Sequence, residues 1–97
     1  MKVTVARIYL TEGSKKHQKI FQRLHDEHQV KGVTMYRAIS GFGASGDIHS
    51  SSLLDMSLDL PLIIEFFDAE EKVEAALESI EDLVPAGHVV TFEAQLN

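Results

Sequence analysis

The apolar residues of this chain recur with a period of about two in some segments and about 3.6 in others, in the order two, 3.6, two, two, 3.6, two. Residues 3–10, VTVARIYL, are β-branched and apolar and read as a strand. In residues 15–29, Ile20, Phe21 and Leu24 form a narrow helical stripe, with His17 and His28 on the same side. Ser14 in TEGS is the expected N-cap of that helix, and Gly32 ends the unit. Val33, Met35 and Ile39 alternate through a second strand over 33–39. The run LPLIIEFF, 60–67, is apolar almost throughout and predicts a central strand covered on at least one face. Pro61 stands at its beginning, where a missing N–H is tolerated. In AEEKVEAALESIEDLV, 69–84, Val73, Ala76, Leu77, Ile80 and Val84 keep the helical period. Asp68 is the expected N-cap there, and Pro85 and Gly87 stop the helix. HVVTFEAQL, 88–96, reads as the fourth strand. This β-α-β-β-α-β order predicts an α+β fold on the split-βαβ, ferredoxin-like plan: a four-stranded antiparallel sheet with both helices on one face. It fills residues 1–97 as a single domain.

Between the second and third strands lies a polar stretch of about 20 residues, 40–59, far longer than an ordinary hairpin loop of about 2–5. Gly41, Gly43 and Gly46 within it spell G-x-G-x-x-G, the spacing of the dinucleotide fingerprint. That fingerprint needs a helix directly after the glycines to receive the pyrophosphate. Here DIHSSSLLDMSLDLP comes instead, which speaks against a Rossmann site. The glycines can still take positive φ and line up N–H groups as an anion nest. Ser40, Ser45, Ser50, Ser51 and Ser52 would add hydroxyl donors, and His49 a charge-assisted contact. Arg37, just before the loop, offers a planar fork for phosphate or carboxylate. Composition alone leaves this segment open between an anion site and a plain flexible connection.

Charge narrows the partners. The formal net charge is −6, which speaks against non-specific nucleic-acid binding. It is unevenly spread: residues 1–37 hold eight Lys and Arg against three acids, and residues 65–82 hold eight acids against Lys72 alone. Two solvated helices of opposite sign, packed side by side, are the plain reading, and the basic third suits a small anion. The absence of cysteine rules out disulfides and suits a reducing compartment. No signal sequence is apparent and the longest apolar run is too short to span a bilayer, so a cytoplasmic protein is expected.

The segments KGVTMYRAISGFG, IHSSSLLDMSLDLPLIIEFFD and EEKVEAALESI together resemble the PII-like family known as DUF number 190. The specific parts are Gly32, Thr34 and Arg37, then Gly41-Phe42-Gly43, Ile48-His49, and Ser57-x-Asp59-Leu60-Pro61. The likeness runs from IYLTE in the first strand to VVTFE in the fourth. One departure is Ala38, where the family pattern has glycine, and it narrows backbone freedom beside Arg37. The resemblance implies a homotrimer related in shape to the PII nitrogen regulators and the divalent-cation-tolerance proteins. It implies a small anionic ligand, in the first place an adenine nucleotide, held in clefts between subunits. It also implies that loop 40–59 is the mobile loop that meets a partner protein, a membrane transporter or an enzyme. The residues expected at the ligand are Arg37, Ser40, Gly41, Gly43, Ser45 and His49.

Two other constellations bear on function. His25 and His28, at i and i+3, together with His49 form the alternative of a divalent-metal or cation-homeostasis protein, although two ligands without a third in spacing make an incomplete set. The serines near His49 lack triad order, and GSKK, 13–16, lacks the upstream glycine spacing of a P-loop, so no catalytic residue is expected. Both alternating sets of the third strand, Leu62/Ile64/Phe66 and Ile63/Glu65/Phe67, are largely apolar. The helix-free face of the sheet is therefore expected to be covered by other subunits. Glu65 would lie near that boundary with Arg7 or Arg37 as partner.

Overall fold

A computed structural model describes residues 1–43, 48–50 and 60–97 of the chain. It contains the strands β1 (Lys2–Thr11), β2 (Gly32–Arg37), β3 (Ser40–Phe42), β4 (Ile48–Ser50), β5 (Pro61–Asp68) and β6 (Val89–Gln95). The helices are α1 (His17–Arg23) and α2 (Glu70–Ser79). Four strands form one sheet in the order β2-β5-β1-β6, with every neighbouring pair antiparallel. This is the ferredoxin-type arrangement that the hydrophobic periods predict. A separate two-stranded ribbon, β3-β4, rises from the end of β2.

Strict alternation in β5 divides its residues between two environments. Leu62, Ile64, Phe66 and Asp68 are buried, whereas Ile63, Glu65 and Phe67 are half-buried. Register carries the same division across the sheet: Ala6, Ile8 and Leu10 stand beside Phe66, Ile64 and Leu62. These six meet Ile20 and Leu24 from the first helical segment and Val73, Ala76, Ile80 and Leu83 from the second. Burial of each large member of this cluster contributes about 1.5–3 kcal/mol. The other face carries Val5, Arg7 and Tyr9, Ile63, Glu65 and Phe67, Thr34 and Tyr36, and Val90 and Phe92. No helix covers it among the described residues, and Tyr9, Tyr36, Val90 and Phe92 remain 39–49% exposed.

The local signals at element ends play out differently from the sequence expectation. Ser14 does not cap α1; it closes a 3₁₀ turn, Glu12–Ser14, by donating to the Thr11 carbonyl at 2.9 Å. Lys16 takes the N-cap position without a side-chain bond. Asp68 is not an N-cap either, because it remains in the strand and Ala69 precedes α2. Its carboxylate is 2% exposed and accepts from the N–H groups of Ala69 (2.7 Å) and Lys31 (3.1 Å), tying the β2 approach to the end of β5. The first helix widens into a π-helical turn over Leu24–His28, and the second ends at Ser79, short of Val84. The second strand ends at Arg37, so Ile39 stands outside it and is 79% exposed.

The helices of opposite charge do pack together. Arg23 reaches Asp82 and the Ser79 carbonyl, and His28 meets the Ser79 hydroxyl at 2.8 Å. No helix among the described residues is long and apolar enough to cross a membrane.

Candidate functional site

Strands β1 and β2 both flank β5 antiparallel, so they run parallel to each other and end at the same edge of the molecule. There Thr11 stands opposite Pro61 and Arg37 opposite Leu62. Glu12, the first residue after β1, donates its N–H to the Leu60 carbonyl at 2.8 Å. Ala38, the first after β2, donates to the Pro61 carbonyl at 2.8 Å. The two roots of the 40–59 segment are thus pinned side by side, and the side chain of Arg37 closes the gap by donating from Nη2 to Glu12 Oε1.

Arg37 is 57% exposed and Glu12 only 17%. The guanidinium is therefore open to a solute while its carboxylate partner is shielded. Glu12 Oε2 is buried with no hydrogen-bond partner among the described residues, so the pair is one-armed. Oxyanions bind well to a guanidinium that presents two parallel N–H groups, which is the chemistry Arg37 can supply here.

Ser40 and Gly41 lie in β3, opposite Ser50 and His49 in β4, and β3 begins three residues after Arg37 ends β2. Gly41 lies close to the start of β5: an added Cβ would stand 3.1 Å from Pro61 Cγ, a tight contact. Among the described residues positive φ occurs at Gly87, Lys15 and Gln29, so neither Gly41 nor Gly43 takes the positive φ that the sequence left open to them. Gly46, the third glycine of that spacing, lies outside the described residues. Ribbon pairing holds Gly41 instead. The expectations for Ser45 and for the side chain of His49 lie outside the described residues.

Glu65 is paired with Arg7 rather than with Arg37: Arg7 Nε donates to Glu65 Oε1 at 2.6 Å in the middle of the helix-free face. The guanidinium also lies 4.9 Å from the centre of the Phe92 ring. The Glu65 hydrogen bond pushes the Arg7 pKa above its already high ordinary value. His25 and His28 go to different partners. His25 Nδ1 is 2.7 Å from Asp26 Oδ1, and His28 is engaged by Ser79. Among the described residues no group of three His, Cys, Asp or Glu side chains is placed to hold a metal ion.

A groove of about 540 Å³ runs between α2 and the approach to β6, floored by Leu77, Ile80 and Val89. Its rim of Glu74, Glu78 and Glu81 has the wrong sign for an anion, and β6 is the sheet edge opposite β2. Glu12 is the site residue that sequence reasoning missed. It is the sole acid among the first 25 residues, and that isolation within a basic stretch was the signal available.

Known proteins match this architecture over nearly its whole length. The DUF190 family, described as Uncharacterized ACR, COG1993, matches residues 3–96. A UPF0166 protein of Methanocaldococcus jannaschii is 32% identical over 92 residues, covering 87% of this chain and 81% of that protein. A UPF0166 protein of Aquifex aeolicus is 33% identical over 69 residues, or 71% of this chain and 65% of that protein. Among solved structures, CPII of Thiomonas intermedia K12 bound to ADP and bicarbonate superposes with a TM-score of 0.73 at 26% identity, over 99% of this chain and 89% of that one. The divalent ion tolerance protein CutA1 of Ehrlichia chaffeensis has the same fold, with a TM-score of 0.61 at 11% identity, over 98% of this chain and 81% of that one. With its sheet order, its ribbon after β2 and a family match from residue 3 to residue 96, the chain belongs to the DUF190 family.

Proposed function

We propose that this protein is a PII-like regulator that binds an adenine nucleotide through its phosphates at Arg37, in a cleft between subunits, and presents segment 40–59 to a partner protein. One observation carries the reading: an exposed arginine fork stands at the root of that segment, in a chain that aligns over 99% of its length with a PII-like protein solved with ADP and bicarbonate. Both of those ligands are anions, and Arg37 fits the class. Ser40 and Gly41, in the first strand of the ribbon that follows β2, are the next contacts in this reading, with Gly43, Ser45 and His49 further along. The uncovered apolar sheet face supports a trimer, since three such faces packed about an axis would remove it from water. Binding would then act on the partner by shifting the population of segment 40–59.

Calorimetric titration with AMP, ADP and ATP tests the reading. A saturable heat with at least one of them is expected, and Arg37→Ala should weaken it about ten-fold or more, as loss of a charge-assisted bond does. A folded protein that gives neither heat nor thermal shift with any of the three at millimolar concentration overturns it.

A further inference from the structure

The partner of Arg37 raises a question that the nucleotide reading leaves aside: why a carboxylate stands in an anion site. Glu12 is not a casual surface acid. Its backbone is fixed to Leu60, its side chain is mostly buried, and it is the one negative charge in an otherwise basic first 25 residues. The same chain holds a second arginine pair with fuller hydrogen bonding. Arg23 holds Asp82 with two arms, at 2.8 and 3.3 Å, and adds a third bond to the Ser79 carbonyl. Arg37 holds Glu12 with one arm, and the other carboxylate oxygen has no partner among the described residues. The buried, anchored member of the pair is the acid, and the accessible, long and flexible member is the arginine. An arginine held this way gives up one side-chain bond when it leaves, and the cost falls on the shielded Glu12 carboxylate it leaves behind.

We propose that the Glu12 carboxylate is a built-in competitor for the anion site, so that an oxyanion binds this protein by taking Arg37 away from Glu12. The proposal rests on the reading of Arg37 as the anion contact. A site whose competent form is populated only part of the time binds with an affinity reduced by that fraction. Glu12 therefore sets the ligand concentration at which the protein responds. It also discriminates by charge, because a neutral solute gains nothing from freeing Arg37.

The experiment compares the full chain with Glu12→Gln by calorimetric titration with ADP, with adenosine and with inorganic pyrophosphate. Removing the competing charge should tighten ADP binding about five-fold, the effect of an ion pair near the strong end for exposed pairs. Adenosine, which carries no anion, should be unaffected, and the gain should vanish in the double variant Glu12→Gln/Arg37→Ala. Should Glu12→Gln not fold, Glu12→Asp withdraws the carboxylate from Arg37 by one methylene and should give a smaller gain in the same direction. Equal or weaker ADP binding in a folded Glu12 variant, with wild type binding normally, overturns the competition. If ADP binds neither protein while pyrophosphate binds the variant more tightly, the nucleotide reading falls and the competition stands. If no oxyanion distinguishes the two proteins, the competition is wrong.

Discussion

Arg23, the last residue of α1, and Asp82, in the turn after α2, form a forked ion pair, Nη1 to Oδ1 at 2.8 Å and Nη2 to Oδ2 at 3.3 Å. The Arg23 hydrogen bond holds the Asp82 carboxyl below the usual carboxylate range. Asp26 is held low as well, first by His25 and then by Gln22. A carboxyl whose folded pKa is depressed binds fewer protons in the native state than in the unfolded one. The stability it contributes is present above the unfolded value of about 3.9 and is lost as pH falls through the lower folded value. Thermal melts from pH 6 down to pH 2 should show this acid limb. Asp82→Asn should flatten part of it while leaving the neutral limb unchanged in slope.

Gly32 is packed against by Phe67 from the neighbouring strand. A Cβ at residue 32 would stand 2.6 Å from Phe67 Cε1 and 2.8 Å from Cζ. Gly32→Ala must push the ring off its position and should cost about 1–2 kcal/mol. Urea unfolding checks the figure. The double variant Gly32→Ala/Phe67→Leu should lie closer to Phe67→Leu alone than additivity predicts, because the clash is then gone.

Asp68 accepts two backbone N–H bonds at 2% exposure. Asp68→Ala would strand both donors and should destabilise by about 2–3 kcal/mol, with Asp68→Asn showing only part of the loss because its one carbonyl still accepts. Amide hydrogen exchange at Lys31 and Ala69 should accelerate in the alanine variant. Unchanged exchange at both would show that these bonds contribute little.

The helix-free face gives an assembly prediction. Tyr36 and Val90 stand on opposite edge strands of that face, each 40% or more exposed. In the proposed trimer, Tyr36→Glu or Val90→Glu places a charge in a surface meant to be dry and should shift the mass by light scattering from three chains to one. A wild-type protein that is monomeric at micromolar concentration would remove both the assembly and the cleft between subunits.

The sheet and its core were legible because both hydrophobic periods are well marked. Ile20 and Leu24, Val73, Ala76 and Ile80, and the alternating β5 set all bury as the pattern indicates. Boundaries were less legible. Ser14 and Asp68 have the right chemistry for caps, but each found a nearer backbone partner, one in a 3₁₀ turn and the other across the sheet. The site was half legible. Arg37 and Gly41 are candidates by residue type and position, and the structure sets Arg37 at the root of the 40–59 segment. Glu12 was not, because its meeting with Arg37 depends on two strands ending at one edge, and local pattern says nothing about that. The ribbon β3-β4 was also hidden, since SGF and IHS are too short and too polar to register as strands.

The π-helical turn at Leu24–His28 carries a consequence for how this chain can change length. Such a turn is an α-helical one with a residue inserted. The wide turn takes up that extra residue locally, so a chain one residue shorter here can close to α spacing. The downstream residues would turn by only about 10°, and His28 would still reach Ser79 and Lys31 would still reach Asp68. The segment can thus lose one residue without loss of register. Relatives one residue shorter between Leu24 and His28 should have a plain α turn there and keep both the histidine and the serine that answers it.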